Sequence, residues 1–144
     1  MDILTAMKIS GSALKAERMR LNVASMNLAN ANTTRTMEGG PYKAKSVIFE
    51  AKPVDGAFQD AFDSARDKLR QVEVTEVVED KAPFREVYDP SHPDANEDGI
   101  VKMPNVNVVE QMVDLMSARR DYEANVAALD TVKNMAMRAL DISK

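Results

Sequence analysis

Apolar residues near the start of the chain recur at the spacing of a narrow-striped helix. From Ile3 to about Asn32, large apolar side chains lie seven residues apart, at Met7, Leu14, Leu21 and Leu28. A stripe this narrow is typical of a seam between two helices rather than of a helix that covers a broad core. The Asn and Thr residues that follow, with a glycine pair and Pro41, predict the end of this first helix.

A second pattern of the same kind fills the end of the chain. Its apolar positions follow a spacing of mostly three and four residues, interrupted only by Arg119 and Lys133. They are Val108, Met112, Leu115, Tyr122, Val126, Leu129, Ala136 and Leu140. The spacing predicts one long helix from about Asn107 to Ile142.

The middle of the chain changes to a β-type pattern. The stretch YKAKSVIFEAK (42–52) alternates polar and apolar residues, and RQVEVTEVVED (70–80) is rich in valine, so both predict strands. The residues between them show no clear period and leave a short helix or an irregular excursion open. Farther on, Pro83, Pro90 and Pro93 predict an extended, turn-rich path.

These elements predict an α+β fold with two parts. Residues 1–37 and 106–144 are expected to form an antiparallel coiled-coil domain of the two long terminal helices. Residues 38–105 are expected to form a small β-rich middle domain. At 144 residues the chain is long enough for one modest domain but not for two with large cores.

Composition and charge exclude several classes of function. The net charge is −4, and residues 38–105 hold most of the acidic excess, so nucleic acid is not an expected partner. Cysteine is absent, which rules out disulfides and thiolate chemistry. We expect no direct membrane span, because no stretch approaches 20 apolar residues, and no cleaved signal peptide, because the first ten residues lack a continuous apolar core.

Candidate catalytic and metal-binding residues are few. The single histidine, His92, neighbours Ser91, but adjacent side chains in an extended segment point apart, so it predicts a turn rather than a nucleophile and base. Asp94, Asn96 and Asp98 match the first half of a calcium loop, yet Asn105 stands where the bidentate Glu belongs. We therefore expect no catalytic residue, no cofactor, no metal site and no small-molecule substrate.

Two terminal motifs resemble a known family. The stretch SGSALKAERMRLNVASMNLANANTTRT, with Leu28, Ala29, Asn30 and Thr33 at its core, is similar to the N-terminal signature of the bacterial flagellar axial proteins of rod and hook. The stretch VNVVEQMVDLMSARRDYEANVAALDTVKNMAMRAL resembles the matching C-terminal helix. The block YDPSHPDANEDGIVKMPNVNVVEQMVDLM, with GGPYKAKSVIFE, narrows the resemblance to the proximal-rod members of that family.

The resemblance implies a structural role without catalysis. It implies subunits that assemble helically with copies of themselves and with other rod proteins, contact the junction of rod and membrane ring, and transmit torque through the periplasm. It also implies export through the flagellar type III apparatus without cleavage, with terminal helices that become ordered on assembly. The helix-breaking asparagines between Leu21 and Thr34 agree with such a marginal helix.

We predict a set of assembly-interface residues on the two terminal segments. On the first they are Met7, Leu14, Leu21, Asn27, Leu28, Asn30 and Thr33. On the second they are Met112, Leu115, Arg119, Tyr122, Val126, Leu129, Met135 and Leu140. The charges of Arg119, Arg120 and Asp121 on the second helix and of Lys15, Arg18 and Arg20 on the first are compatible with complementary contacts between subunits, although solvent exposure is the commoner outcome for any one of them.

Three alternatives stay open from the residues alone. One is a soluble cytoplasmic helical adaptor, which would be compact as a monomer. Another is a calcium-responsive binding module that uses Asp94, Asn96 and Asp98. The third and weakest is an enzyme, since no constellation of nucleophile, base or metal ligands is evident.

Overall fold

Two long helices dominate the computed structural model of the chain, which describes residues 3–54 and 69–142. Helix α1 spans Ile3–Ala29 and helix α2 spans Val108–Ile142. Asn107 caps the start of α2, because its side-chain oxygen accepts a hydrogen bond from the Val109 N–H at 3.2 Å. Both predicted helices are confirmed, although α1 ends three residues before the expected position.

The two helices pack against each other in antiparallel orientation. Asn27 near the end of α1 contacts Gln111 at the start of α2, and Arg20, about two turns earlier in α1, contacts Asp114 and Asp121 farther along α2. Asp114 and Ser117 are half-buried, and the other covered residues of α2 recur at alternating intervals of four and three, a heptad pattern. They are Gln111, Leu115, Ala118, Tyr122, Asn125, Leu129, Val132 and Ala136.

Strands β1 (Lys45–Pro53) and β2 (Arg70–Glu79) form an antiparallel pair beside α1. The register runs from Lys45↔Glu79 to Pro53↔Arg70, with an irregularity after Ile48. The Ser12 hydroxyl of α1 accepts a hydrogen bond from the Val72 N–H at 3.2 Å, which joins the helix to β2. Both strands predicted from the β-branched pattern are confirmed, while residues 55–68, which the sequence left open, lie outside the described residues.

A second antiparallel pair joins β3 (Arg85–Tyr88) to β4 (Ile100–Met103). The sequence predicted an extended path here but neither strand. All four residues of β3 are exposed, so no burial on one face produces the alternating pattern by which strands are recognised. Prolines at both ends of β3 obscure it further.

The buried core is small and lies where α1, β1 and the start of α2 meet. Its cluster consists of Ala31, Tyr42, Ala44 and Val106. Val101 and Pro104 are also almost fully covered. Many larger apolar side chains remain exposed, so this core supports a modest stability for the single chain. The α+β class is confirmed.

Gly99, at the end of the loop between β3 and β4, has a φ of +73°. An added Cβ would lie 2.9 Å from Pro90 Cγ and 3.1 Å from Tyr88 Cε2. We expect Gly99→Ala to lower the free energy of unfolding by about 2 kcal/mol, from backbone strain and this crowding together. The shift of the urea unfolding midpoint measures it.

Gly11→Ala is the matched control for Gly99→Ala. Gly11 lies within α1, and apart from its chain neighbours and the adjoining helix backbone no described atom lies within 4 Å of an added Cβ there. The same substitution is therefore expected to stabilise the protein by about 0.5–1 kcal/mol through helix propensity. Equal midpoints for the two variants would contradict the strain at Gly99.

Candidate assembly interface

Asn27 joins the two helices to the middle of the chain. Its side-chain NH2 donates to the Lys45 carbonyl at 2.7 Å and to Gln111 Oε1 at 2.9 Å. Its Oδ1 accepts from the Lys45 N–H and from the Tyr42 hydroxyl, both at 2.9 Å. All four hydrogen-bonding positions of the amide are therefore used, in a side chain that is only 1% exposed.

Tyr42 and Asn105 reinforce the same junction. Burial, together with the Glu79 carboxylate, raises the pKa of the Tyr42 hydroxyl, so this group remains a hydrogen-bond donor. Asn105 accepts from the Ala44 N–H at 2.8 Å and donates to the Ala82 carbonyl at 3.1 Å. Two buried or half-buried amides thus hold the chain where it leaves one helix and approaches the other.

The other asparagines of the 21–34 stretch have local roles. Asn30 donates to the Met26 carbonyl at 2.9 Å and accepts from the Thr33 hydroxyl at 3.2 Å. These bonds lie within the turn at the end of α1. Asn22 and Asn32 are exposed. Of the predicted polar contacts, the Asn27 side chain therefore reaches other elements, whereas the Asn30 and Thr33 side chains bond locally.

The predicted apolar positions divide between a covered seam and exposed surface. Half-buried residues are Met7, Leu14, Leu21 and Leu28 in α1, with Leu115, Tyr122 and Leu129 in α2. Exposed residues are Met112, Arg119, Val126, Met135 and Leu140. Arg119 forms an ion pair with Glu123 one turn away, at 2.9 Å. The polar residues Gln111 and Asn125 occupy the seam positions next to Met112 and Val126, because the heptad period fixes them there.

Sequence reasoning missed a second apolar face at the start of α2. Val109, Val113 and Met116 are 70%, 60% and 68% exposed, and Met112 lies beside them. We call these four residues the α2 stripe. Their spacing of four and then three places them on one side of the helix, away from the seam. The signal was present in the sequence, because α2 carries apolar residues on two faces and the predicted seam accounts for one of them.

A cluster of charges spans the helix pair near its middle. Arg20 lies 3.7 Å from Glu17, 3.1 Å from Asp114 and 3.8 Å from Asp121. We call these four residues the Arg20 cluster. Burial raises the pKa of Glu17, Arg20 opposes the shift, and Asp121 adds to it. Arg20 and Asp121, which the sequence left open for contacts between subunits, thus meet within one chain.

The loop between β3 and β4 uses its polar groups internally. Asn96 Oδ1 accepts from the N–H groups of Asp98 and Ile100, and Asp94 accepts from the Thr34 hydroxyl at 2.7 Å. Within residues 3–54 and 69–142, no group of three acidic, His or Cys residues has the arrangement of a metal site. The loop geometry is that of Asx turns, which gives the calcium-module alternative no support.

Ser91 and His92 are not arranged as a nucleophile and its base. The Ser91 hydroxyl donates a hydrogen bond to Asp89 Oδ1 at 2.6 Å. Hydrogen bonds from Ser91 lower the pKa of the Asp89 carboxyl group. His92 Nδ1 accepts instead from the Asp94 N–H at 3.1 Å. Both side chains therefore stabilise the turn.

Comparisons with known proteins point to the flagellar basal body. Residues 7–35 match the family described as flagella basal body rod protein, and residues 97–142 match the one described as flagellar basal body rod FlgEFG protein C-terminal. The flagellar basal-body rod protein FlgC of Escherichia coli is 44% identical over the whole of both chains. The FlgC protein of Bacillus subtilis is 40% identical, again over the whole of both chains, and that of Borreliella burgdorferi is 38% identical over 99% of this chain and 98% of its own.

In the part of the chain that the structure describes, neither helix combines sufficient length with sufficient apolar character to cross a bilayer.

Proposed function

The chain belongs to the FlgC family of flagellar basal-body rod proteins, and on this basis we propose that it builds the proximal part of the rod. It is a structural subunit and not an enzyme. In our proposal, copies of the chain assemble helically with one another and with other rod proteins. The resulting tube transmits torque, because many interlocked subunits share the load.

The observation that carries the helical assembly is the exposure of the α2 stripe. One face of α2 is covered by α1. On another face of the same helix, the stripe residues Val109, Val113 and Met116 are exposed to water. A contiguous apolar patch on a helix indicates a contact with another protein surface. A contact between two different surfaces of identical chains forms a ring when its rotation closes and an open helix when it does not, and the open helix is the symmetry a rod needs.

The finer architecture is part of the proposal. We propose that the terminal helices form an antiparallel coiled coil in residues 1–37 and 106–144, with residues 38–105 as a separate middle domain. The heptad spacing of covered residues from Gln111 to Ala136 supports the coiled coil. The selected interface residues that the sequence predicted remain our candidates for contacts between subunits. They lie between Met7 and Thr33 on the first segment and between Met112 and Leu140 on the second.

Location and export complete the proposal. The rod is a part of the basal body, and we propose that this subunit lies in the periplasm, near the junction of rod and membrane ring. We propose further that the flagellar type III apparatus exports it as a largely unfolded chain, without cleavage. The small core supports this route, because a chain of low stability unfolds readily for passage and gains order from its neighbours on assembly.

The test introduces charge into the α2 stripe. The double variant Val113→Glu, Met116→Glu is expected to reduce incorporation into basal bodies, and swimming, at least tenfold, because two carboxylates would lose their hydration in the contact. The measurement is the amount of the protein in basal bodies purified from cells that lack the original gene, beside swimming in soft agar. Circular dichroism of the purified variant checks that its helices persist.

A matched control places the same charges elsewhere on α2. Thr131→Glu, Asn134→Glu has the same spacing, and both residues are exposed. This control should assemble as the unmodified protein does. Normal incorporation of the stripe variant would show that the stripe is not an assembly contact. If cells swim normally although neither variant protein is found in their basal bodies, the rod function itself is overturned.

A further inference from the structure

The Arg20 cluster places three carboxylates around one guanidinium at the contact between α1 and α2. Arg20 donates a hydrogen bond to Asp114 at 3.1 Å, and its other nitrogen lies 3.7 Å from Glu17 and 3.8 Å from Asp121. One guanidinium neutralises one carboxylate charge. With all three acids ionised, the cluster therefore retains a net charge of minus two between the paired helices.

Glu17 is the least well solvated member of the cluster. Its side chain is 18% exposed, against 43% for Asp114 and 50% for Asp121. Its Oε2 atom is buried and has no hydrogen-bond partner among the described residues. The nearest guanidinium nitrogen, at 3.7 Å, is beyond the length of a hydrogen bond. A buried oxygen without a donor opposes the ionised form of a carboxyl group.

We propose that pairing of α1 with α2 takes up a proton at Glu17, so that mild acidification tightens the contact between the two terminal helices. The proton comes from solvent and binds a carboxylate oxygen, with no other bond made or broken. Asp114 and Asp121 retain their contacts with Arg20, while the neutral Glu17 no longer repels Asp121. This inference concerns a single chain and goes beyond the role of that chain in the rod.

The direction of the pH dependence follows from the pKa of Glu17. Burial raises this pKa above its ordinary value of 4.5, and the attraction of Arg20 and the repulsion of Asp121 are the smaller contributions. In the interval above pH 4.5 the folded chain therefore binds more protons than the unfolded chain. The free energy of unfolding increases as the pH falls into this interval, and the gain is lost as the pH rises through the folded-state pKa.

Other perturbed carboxyls act in a lower pH range. Asp89 and Glu73 have lowered pKa values, owing to hydrogen bonds from Ser91 and Lys52 respectively. Their contributions to stability are present above their ordinary values of 3.8 and 4.5 and are lost only on further acidification. A measurement between pH 5 and 7.5 therefore separates Glu17 from them.

The experiment compares the full chain with Glu17→Gln by urea unfolding between pH 5 and 7.5. At pH 7.5 the variant is expected to have a folding equilibrium constant about tenfold larger, the order expected for relief of one buried, unbonded charge. The two proteins should converge as the pH falls, because Glu17 of the original chain then becomes protonated. The control Glu123→Gln alters an exposed glutamate paired with Arg119 and should leave the pH dependence unchanged.

A direct titration gives a readout that does not depend on any variant. The carboxyl carbon of Glu17, followed by NMR in the unmodified chain, should titrate above the ordinary glutamate value of 4.5. Parallel pH profiles for the original chain and Glu17→Gln would overturn the proposal, as would titration of Glu17 at its ordinary value. Neither result bears on incorporation into the basal body, which the stripe variant tests separately.

Discussion

Asn27→Ala is expected to lower the free energy of unfolding by about 3 kcal/mol, enough to unfold much of the chain. The substitution removes four hydrogen bonds at once and leaves the Lys45 N–H and carbonyl, the Tyr42 hydroxyl and the Gln111 amide without their partner. Each buried polar group left unpaired costs about 1–3 kcal/mol. Water molecules that enter the space left by the side chain offset part of the total cost. Few other side chains in residues 3–54 and 69–142 connect so many elements.

The loss is measured by urea unfolding followed at 222 nm, with Asn22→Ala as the control. Asn22 lies on the same helix but is exposed, so its replacement should leave stability unchanged or slightly increase it through helix propensity. Asn27→Asp gives a second comparison, because the carboxylate keeps the acceptor but loses both donors. A midpoint for Asn27→Ala equal to that of Asn22→Ala would show that the junction does not hold the fold together.

The long helices were predictable because their evidence is local. Residues seven apart on one helix, such as Leu21 and Leu28, lie on the same side whatever surrounds them. The two strands of the first pair were predictable for a similar reason, since β-branched residues are frequent in the segment around Val72. Strand β3 was not, because its four exposed residues carry no signature of burial and gain their order only by pairing with β4.

The candidate site shows the same division between local and distant information. The sequence identified Asn27 as a polar contact, but the partners of its amide lie 18 and 84 residues away. No spacing rule relates positions that far apart. The Arg20 cluster has the same character: opposite charges were visible in the sequence, whereas their meeting within one chain depends on the antiparallel pairing of α1 and α2.

The apolar pattern of α2 illustrates a different difficulty. Gln111 and Asn125 lie in the covered seam, and Val113 and Met116 lie in water. A rule that assigns apolar residues to the inside fails in this region because the helix must satisfy two partners, α1 and, in our proposal, a neighbouring subunit. Polar residues in a seam favour one register over slipped alternatives, at some cost in stability.

Ala118→Glu is expected to separate the two helices, with a loss of about 3–5 kcal/mol in the free energy of unfolding. Ala118 is 0% exposed and lies in the α2 seam between Leu115 and Tyr122. A longer side chain needs space that the seam lacks, and its charge would be near a cluster that already holds excess negative charge. Helical signal at 222 nm and the urea midpoint report the change.

The control for this variant is Ala128→Glu, the same substitution at an exposed position of the same helix. It should unfold at the midpoint of the original chain, because its carboxylate remains in water. Loss of helical signal in Ala118→Glu alone would mean that α1 and α2 stabilise each other within one free chain. Identical midpoints would mean that the seam contributes nothing before assembly, so that the order of both helices comes from neighbouring subunits in the rod.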